Sequence, residues 1–309
     1  MFCLSFLLRN TLPRHWFEHA RFEGVYRNAF EGMNELFDLK KPHLAVWLWI
    51  YDPTVPSRDQ NKPAEAPLKP FGTPLHYAAF CGLHDVVKFL VVEHSQDVNF
   101  RSFTGEETPL HLTARAGHVE VARLLIELGA DTAARDKNGW TPPHRTSETG
   151  DVDMARFLIE HGADATAQDK DGSAPLHGTS KWGHVDLVRL LVEYGVDVTA
   201  QDNESLTPLH WASREGHVEV SRFLIEHGAN AAAKDKYGIT PLHRASECSH
   251  VNLAWLLIEH GADATAQDDQ GWTPLHLALR FIMWIWQGSS SSTAPTQQED
   301  ATAWSVRNG

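Results

Sequence analysis

Thr207-Pro208-Leu209-His210-Trp211-Ala212-Ser213-Arg214-Glu215-Gly216-His217-Val218-Glu219-Val220, followed by Phe223-Leu224-Ile225-Glu226-His227-Gly228-Ala229, decides the reading of this chain. Thr before Pro is a helix start: the hydroxyl serves as N-cap, and proline fits the first helical position, where a missing N–H is harmless. Leu209, Ala212 and Ser213 then fall on one face, and Gly216 ends a short helix. A second helix carries Val218, Val220, Phe223, Leu224 and Ile225 at helical spacing. Gly228 supplies the left-handed residue that a helix C-terminus wants, and Asp235-Lys236-Tyr237-Gly238 beyond it is turn chemistry. The stretch therefore reads as helix, turn, helix and extended finger.

The same order recurs. The prolines of the signature are Pro74, Pro109, Pro142, Pro175, Pro208, Pro241 and Pro274, the first interval being 35 residues and the next five 33 each. One such unit cannot bury its apolar face alone, so it must stack on its neighbours. In motif, in period and in the pairing of Gly-His with a later Gly-Ala, residues 71–279 resemble the ankyrin repeat. The resemblance implies an all-α solenoid of six full repeats (about 71–105, 106–138, 139–171, 172–204, 205–237 and 238–270) and a partial seventh over 271–287. At ~10 Å between helices, six repeats would make a stack about 60 Å long.

Some units depart from the pattern. Pro143 stands where the others have Leu, Ala174 where Thr should cap, and Ser249 where Gly should end the helix. After Leu275-His276-Leu277-Ala278 the pattern is lost in Arg280-Phe281-Ile282-Met283-Trp284-Ile285-Trp286. Residues 288–309, rich in Ser, Thr and Gln, read as a disordered tail.

Before the repeats, Trp16, Phe17, Ala20, Val25, Tyr26, Ala29, Phe30, Met33, Leu36 and Phe37 form an apolar stripe of helical period. Residues 1–51 are expected to be a helical cap for the first repeat, and 52–70 a Pro-rich loop. His15-Trp16-Phe17-Glu18-His19-Ala20-Arg21 and Phe37-Asp38-Leu39-Lys40-Lys41-Pro42-His43, with Trp47-Leu48, are similar to the region preceding ankyrin repeats in fungal NACHT-type signalling proteins. Those proteins couple a nucleotide-driven switch to a repeat array. No GxxxxGK[ST] loop occurs in this sequence, so the resemblance implies the recognition half alone.

Composition narrows the function classes. The 309 residues carry a net charge of -13, and the acidic excess lies in the repeats. That is the wrong sign for sequence-independent binding of nucleic acid. No apolar stretch reaches the roughly 18 residues of a membrane helix, so no membrane partner is expected. Three cysteines, Cys3, Cys81 and Cys248, give neither a disulfide framework nor a CxxC pair, and fit a reducing setting; the expected location is the cytoplasm, and the nucleus, also reducing, stays open.

The 19 histidines invite a metal or acid–base reading, but most sit on repeat positions. His76, His111, His144, His177, His210, His243 and His276 follow the proline signature; His118, His184, His217 and His250 precede the second helix; His161, His227 and His260 precede Gly-Ala. Equivalents one repeat apart stand ~10 Å from each other, too far to share an ion ligated near 2 Å. The ankyrin resemblance implies that the first set bonds to its own Thr and to neighbouring backbone. With no nucleophile elbow and no activated thiol setting, the expected catalytic, metal and cofactor sites are none, and the chain reads as a non-enzyme.

What remains is surface. In ankyrin-like arrays partners dock on fingertips and on the inner helices, which places the candidate partner-binding residues at Lys137, Trp140, Lys170, Lys236, Tyr237 and Trp272 on fingers. On inner helices they are Lys181, Trp182, Trp211, Arg214 and Arg244. Trp, Tyr and Arg are the types enriched in hot spots, and cations amid an acidic framework suit a protein partner with acidic and aromatic groups. The alternative for Trp140 and Trp272 is that they cover apolar surface between repeats. The expected function is a protein-interaction module presenting a concave surface, as the recognition part of a sensor system. The rival is a regulatory or substrate-targeting subunit that docks an enzyme through its N-terminal helix.

Overall fold

The computed structural model describes residues 71–280. The N-terminal capping segment, the Pro-rich loop, residues 281–287 and the Ser-rich tail lie outside the described residues. Twelve helices fall in pairs: α1 (Pro74–Phe80) with α2 (His84–Val92), α3 (Pro109–Ala116) with α4 (Val119–Glu127), and α5 (Pro142–Thr149) with α6 (Val152–Glu160). They continue as α7 (Pro175–Trp182) with α8 (Val185–Glu193), α9 (Pro208–Glu215) with α10 (Val218–Glu226), and α11 (Pro241–Glu247) with α12 (Val251–Glu259). Residues 274–280 are again helical, and no strand occurs among the described residues. The chain divides into two compact units after Lys170.

Each first helix opens alike. The residue before the proline is extended, with φ between -77° and -102°, and the proline takes the first helical position. In the first unit α1 packs on α3 and α3 on α5, while α2 packs on α4 and α4 on α6. In the second, α7, α9 and α11 form one row and α8, α10 and α12 the other. Leu75, Val86, Val87, Leu110, Val121, Leu125, Met154 and Leu158 fill the core of the first unit. Leu176, Leu187, Leu191, Leu209, Leu224, Leu242, Leu253 and Leu257 are likewise buried in the second. Pro143 is buried within α5, and its carbonyl accepts the hydroxyls of Thr146 at 2.8 Å and Ser147 at 3.1 Å.

Fingers join tip to tip through one backbone bond per repeat. Phe103 N–H donates to Phe71 O at 2.9 Å, Lys137 to Gly105 at 2.9 Å and Lys170 to Asn138 at 3.0 Å. In the second unit Asn203 donates to Asp171 at 2.9 Å, Lys236 to Glu204 at 3.0 Å and Asp269 to Tyr237 at 3.0 Å.

The end of the first helix needs φ > 0. Gly216 supplies it at φ 81°, and a Cβ there would also lie 2.6 Å from the His250 ring of the next repeat, so two constraints select glycine. Ser249 holds the same left-handed conformation at φ 60°. At Gly183 and Gly216 the histidine of the next repeat also crowds the glycine, and the sequence has Met283 at the position corresponding to it for Ser249. The left-handed backbone is the strain that glycine would relieve at Ser249. Ser249→Gly is expected to stabilise the second unit by about 1 kcal/mol, read as a higher urea midpoint at unchanged slope. A midpoint at or below that of the parent protein would refute this.

Candidate functional site

The histidines are used before any ligand is considered. In each signature the backbone N–H of the Thr donates to the Nδ1 of the His three residues on, at 3.1–3.2 Å in the pairs Thr73–His76, Thr108–His111, Thr141–His144, Thr207–His210 and Thr240–His243. The Thr hydroxyl lies 2.8 Å from the same nitrogen. A nitrogen that accepts an N–H carries no proton, so the ring proton sits on Nε2. It is donated to the next finger: His76 to Glu107 O at 3.0 Å, His111 to Trp140 O at 2.9 Å, His210 to Ile239 O at 3.2 Å and His243 to Trp272 O at 3.1 Å. At Ala174 the hydroxyl is missing, yet Ala174 N–H still reaches His177 Nδ1 at 3.1 Å.

Burial makes these rings resist protonation. Desolvation lowers the pKa of His76, His111 and His210 to about 4, against weaker opposing help from the carbonyls they bond, and it lowers those of His177 and His243 too. The second set ties repeats together, His118 Nε2 bonding Phe80 O at 3.0 Å, His217 Lys181 O at 2.9 Å and His250 Arg214 O at 3.0 Å. The third turns back on its own helix, His161 to Phe157 O at 2.7 Å, His227 to Phe223 O at 2.8 Å and His260 to Leu256 O at 2.8 Å. Among the described residues no three His, Cys, Asp or Glu side chains are placed to hold one metal ion. Burial and the neighbouring Glu247 push the Cys248 thiol up, away from the reactive thiolate form.

The remaining polar chemistry is on the first helices. In the first unit Arg145 Nη2 lies 2.7 Å from Glu107 and 2.8 Å from Asp136, Nη1 3.1 Å from Glu148, and the guanidinium sits 4.6 Å from the Trp140 ring. Arg244 repeats this in the second unit, pairing with Asp235 at 3.2 Å and Glu247 at 3.6 Å. Sequence reasoning missed Arg145, although it stands one repeat-multiple from Trp211 and Arg244, directly after the signature His.

That registry exposes an interruption. The positions three residues after Arg145 and Arg244 hold the paired acids Glu148 and Glu247; the two intervening repeats hold Lys181 and Arg214 there. Their partners three residues back are Gly178 and Trp211 in place of arginine. An Arg–Glu pair thus gives way twice in succession to a cation without its acid. Lys181 Nζ lies 5.0 Å from the Trp211 ring and 5.8 Å from that of Trp182, and the Arg214 guanidinium lies 5.8 Å from Trp211. Trp182 is 52% exposed, and Lys181 and Arg214 are exposed as well. Lys181 joins no ion pair among the described residues, and Arg214 has only the adjacent Glu215 at 3.9 Å.

The structure thus brings together Lys181, Trp182, Trp211 and Arg214 of the expected binding residues, on α7 and α9. Others serve the array. The Trp140 indole N–H donates to Asp169 at 3.0 Å, and Arg244 is held by its two acids. Lys236 pairs with Glu204 and covers the Tyr237 ring at 4.9 Å, while Lys137 donates to Thr104 O at 3.2 Å. Trp272 lies edge-on against His276 at 5.8 Å, and Lys170 is an exposed finger residue.

The chain belongs to the ankyrin-repeat family: the family model for ankyrin repeats in three copies matches overlapping segments 75–169, 132–202, 161–235, 183–268 and 230–282. An array of this family is a protein-interaction module. The chain is 46% identical over 66 residues to alpha-latrocrustotoxin-Lt1a of Latrodectus tredecimguttatus, a match to 21% of this chain and 5% of that protein. It is 44% identical over 65 residues to protein phosphatase 1 regulatory subunit 27 of Mus musculus, covering 21% of this chain and 41% of that protein. It is 37% identical over 68 residues to ankyrin repeat domain-containing protein 13B of Mus musculus, covering 22% and 11%. The matches span less than half the length of each relative.

Proposed function

We propose that the chain is a non-enzymatic recognition module that holds a protein partner on the first-helix face of α7 and α9. The observation that carries this reading is the replacement of the half-buried Arg–Glu pairing by exposed Lys181, Trp182 and Arg214 around a half-buried Trp211. Trp and Arg on a helical face are among the side chains enriched in interface hot spots, Trp for the large area it buries and Arg for its planar, several-donor guanidinium. The resemblance of residues 15–48 to the segment preceding fungal NACHT-type arrays supports a place in a signalling or sensor system, in the cytoplasm or nucleus. Likeness to a phosphatase regulatory subunit supports the second reading, a regulatory or targeting subunit whose N-terminal segment docks an enzyme.

The two readings separate by capture from source-cell lysate on the intact chain and on a Trp182→Ala/Arg214→Glu double variant whose helicity matches. A protein retained by the first and lost from the second supports the face on α7 and α9. Equal retention refutes it and moves the interaction elsewhere on the chain, residues 1–60 being the site for the subunit reading.

A further inference from the structure

We infer that the occupant of this face is an acidic, extended peptide segment with two carboxylates two residues apart and an apolar side chain beside them; the inference rests on the docking reading above. Charge argues first. Along the equivalent positions 148, 181, 214 and 247 the side chains are Glu148, Lys181, Arg214 and Glu247. The outer two are consumed by Arg145 at 3.1 Å and Arg244 at 3.6 Å. The inner two point a positive charge at solvent beside indole faces. In a chain of net charge -13, two neighbouring cations without buried acids are a local reversal of sign, and an anionic segment is the complement.

Geometry bounds the spacing. Lys181 Nζ and the Arg214 guanidinium are no more than about 11 Å apart, the limit set by their 5.0 and 5.8 Å separations from the shared Trp211 ring. An extended chain advances roughly 3.4 Å per residue and turns alternate side chains to the same face, so carboxylates two residues apart stand about 7 Å from each other, within that limit and facing the same way. A peptide lying from α7 to α9 in this way crosses the helices instead of following one of them.

The rings supply the rest. Gly178 removes the side chain that the equivalent Trp211 or Arg244 would present, so α7 offers no bulk at that position. Trp182, 52% exposed, is left as an apolar platform. Trp211 serves both cations at once, and its Nε1, buried, finds no acceptor among the described residues. A carboxylate drawn to Lys181 and Arg214 keeps its charge-assisted bonds in a site half-shielded by indole, where they are stronger than in open water.

The test is selection of a random extended-peptide display library on the full chain, counter-selected on a Lys181→Glu/Arg214→Glu variant of matched helicity. Enriched peptides should carry two Asp or Glu residues two apart with an apolar residue beside them. A synthetic peptide of that sequence should lose about tenfold or more in affinity on the variant, and should weaken steeply between 50 and 300 mM salt. Enriched peptides without acidic excess that are nevertheless lost on Trp182→Ala would overturn the acidic occupant while leaving the docking face standing. Peptides bound equally by the parent, the charge-reversed variant and Trp182→Ala would overturn both. No enrichment over the charge-reversed variant also overturns the inference.

Discussion

Acidification from pH 7 to pH 5 is expected to cost the array about 5–6 kcal/mol of stability. His76, His111 and His210 titrate near 4 when folded, pushed down from 6.5 chiefly by burial. Between these two pH values only the unfolded chain binds the protons. Stability is therefore complete above about 6.5, falls as the pH drops toward 4 and levels below it, the behaviour of a base with a depressed folded pKa. Each of the three rings contributes about 3 kcal/mol between pH 6.5 and pH 4, of which about 2 kcal/mol falls between pH 7 and pH 5; over the latter interval the three together lose about 5–6 kcal/mol, the size of the whole stability of a marginal domain. His177 and His243 shift in the same direction and steepen the loss.

The structural reason is the direction of the hydrogen bonds. A proton added to Nδ1 would meet the Thr207 N–H, which already donates to it at 3.1 Å. Urea unfolding at pH 7.5, 6 and 5 measures the effect, and a midpoint unchanged between 7.5 and 5 would sink it. His210→Gln separates titration from packing. A glutamine at that position can still accept the Thr207 N–H, as in a capping box, but leaves Ile239 O without its donor. The variant should lose roughly 1–3 kcal/mol at pH 7.5 from the orphaned carbonyl and should then lose less than the parent on going to pH 5.

The repeat was legible because its signals are local. Thr207-Pro208 sets a helix start, Gly216 its end and Gly228 the next end, each through backbone conformation that no tertiary context need supply. The histidine roles followed from the period and the family resemblance, and their hydrogen bonds carry them out. The face proposed for binding was half legible. Trp182 and Arg214 stood out by type, but the contact of Lys181 with Trp211 spans 30 residues, a diagonal between neighbouring helices that a 33-residue register does not display. Trp140 reads as a fingertip binding residue or as a cover between repeats; in the structure Asp169 of the next finger and Arg145 of the following helix both reach its indole, contacts that depend on packing. The role of Arg145 was not legible because which of 40 acidic residues meet a given arginine depends on packing.

Arg145→Ala is expected to be among the most destabilising single substitutions in the first unit, by about 3–5 kcal/mol. The Arg145 side chain is 11% exposed, and the Glu107 and Asp136 side chains it meets are 5% and 1% exposed. Removing the cation leaves two buried carboxylates facing each other. Asp136 keeps one oxygen satisfied by the N–H groups of Asn138 at 2.7 Å and Trp140 at 2.9 Å, but its other oxygen loses Arg145. Glu107 retains only Arg115 at 3.7 Å. The penalty comes from the orphaned charges more than from the lost attraction, so removing them should restore stability: Arg145→Ala combined with Glu107→Gln and Asp136→Asn is expected to recover part of the loss. Arg145→Lys, which keeps one charge but not the fork that reaches several acids, should fall between the alanine variant and the parent. On α7, Lys181→Ala should change stability by less than about 0.5 kcal/mol, because an exposed cation without a carboxylate partner leaves nothing buried behind it. Urea midpoints for the five proteins at pH 7.5 decide the matter. Equal losses for Arg145→Ala and Lys181→Ala would mean that the two positions do the same work, and the contrast between a structural Arg–Glu pairing and an open Lys–Trp surface would fail with them.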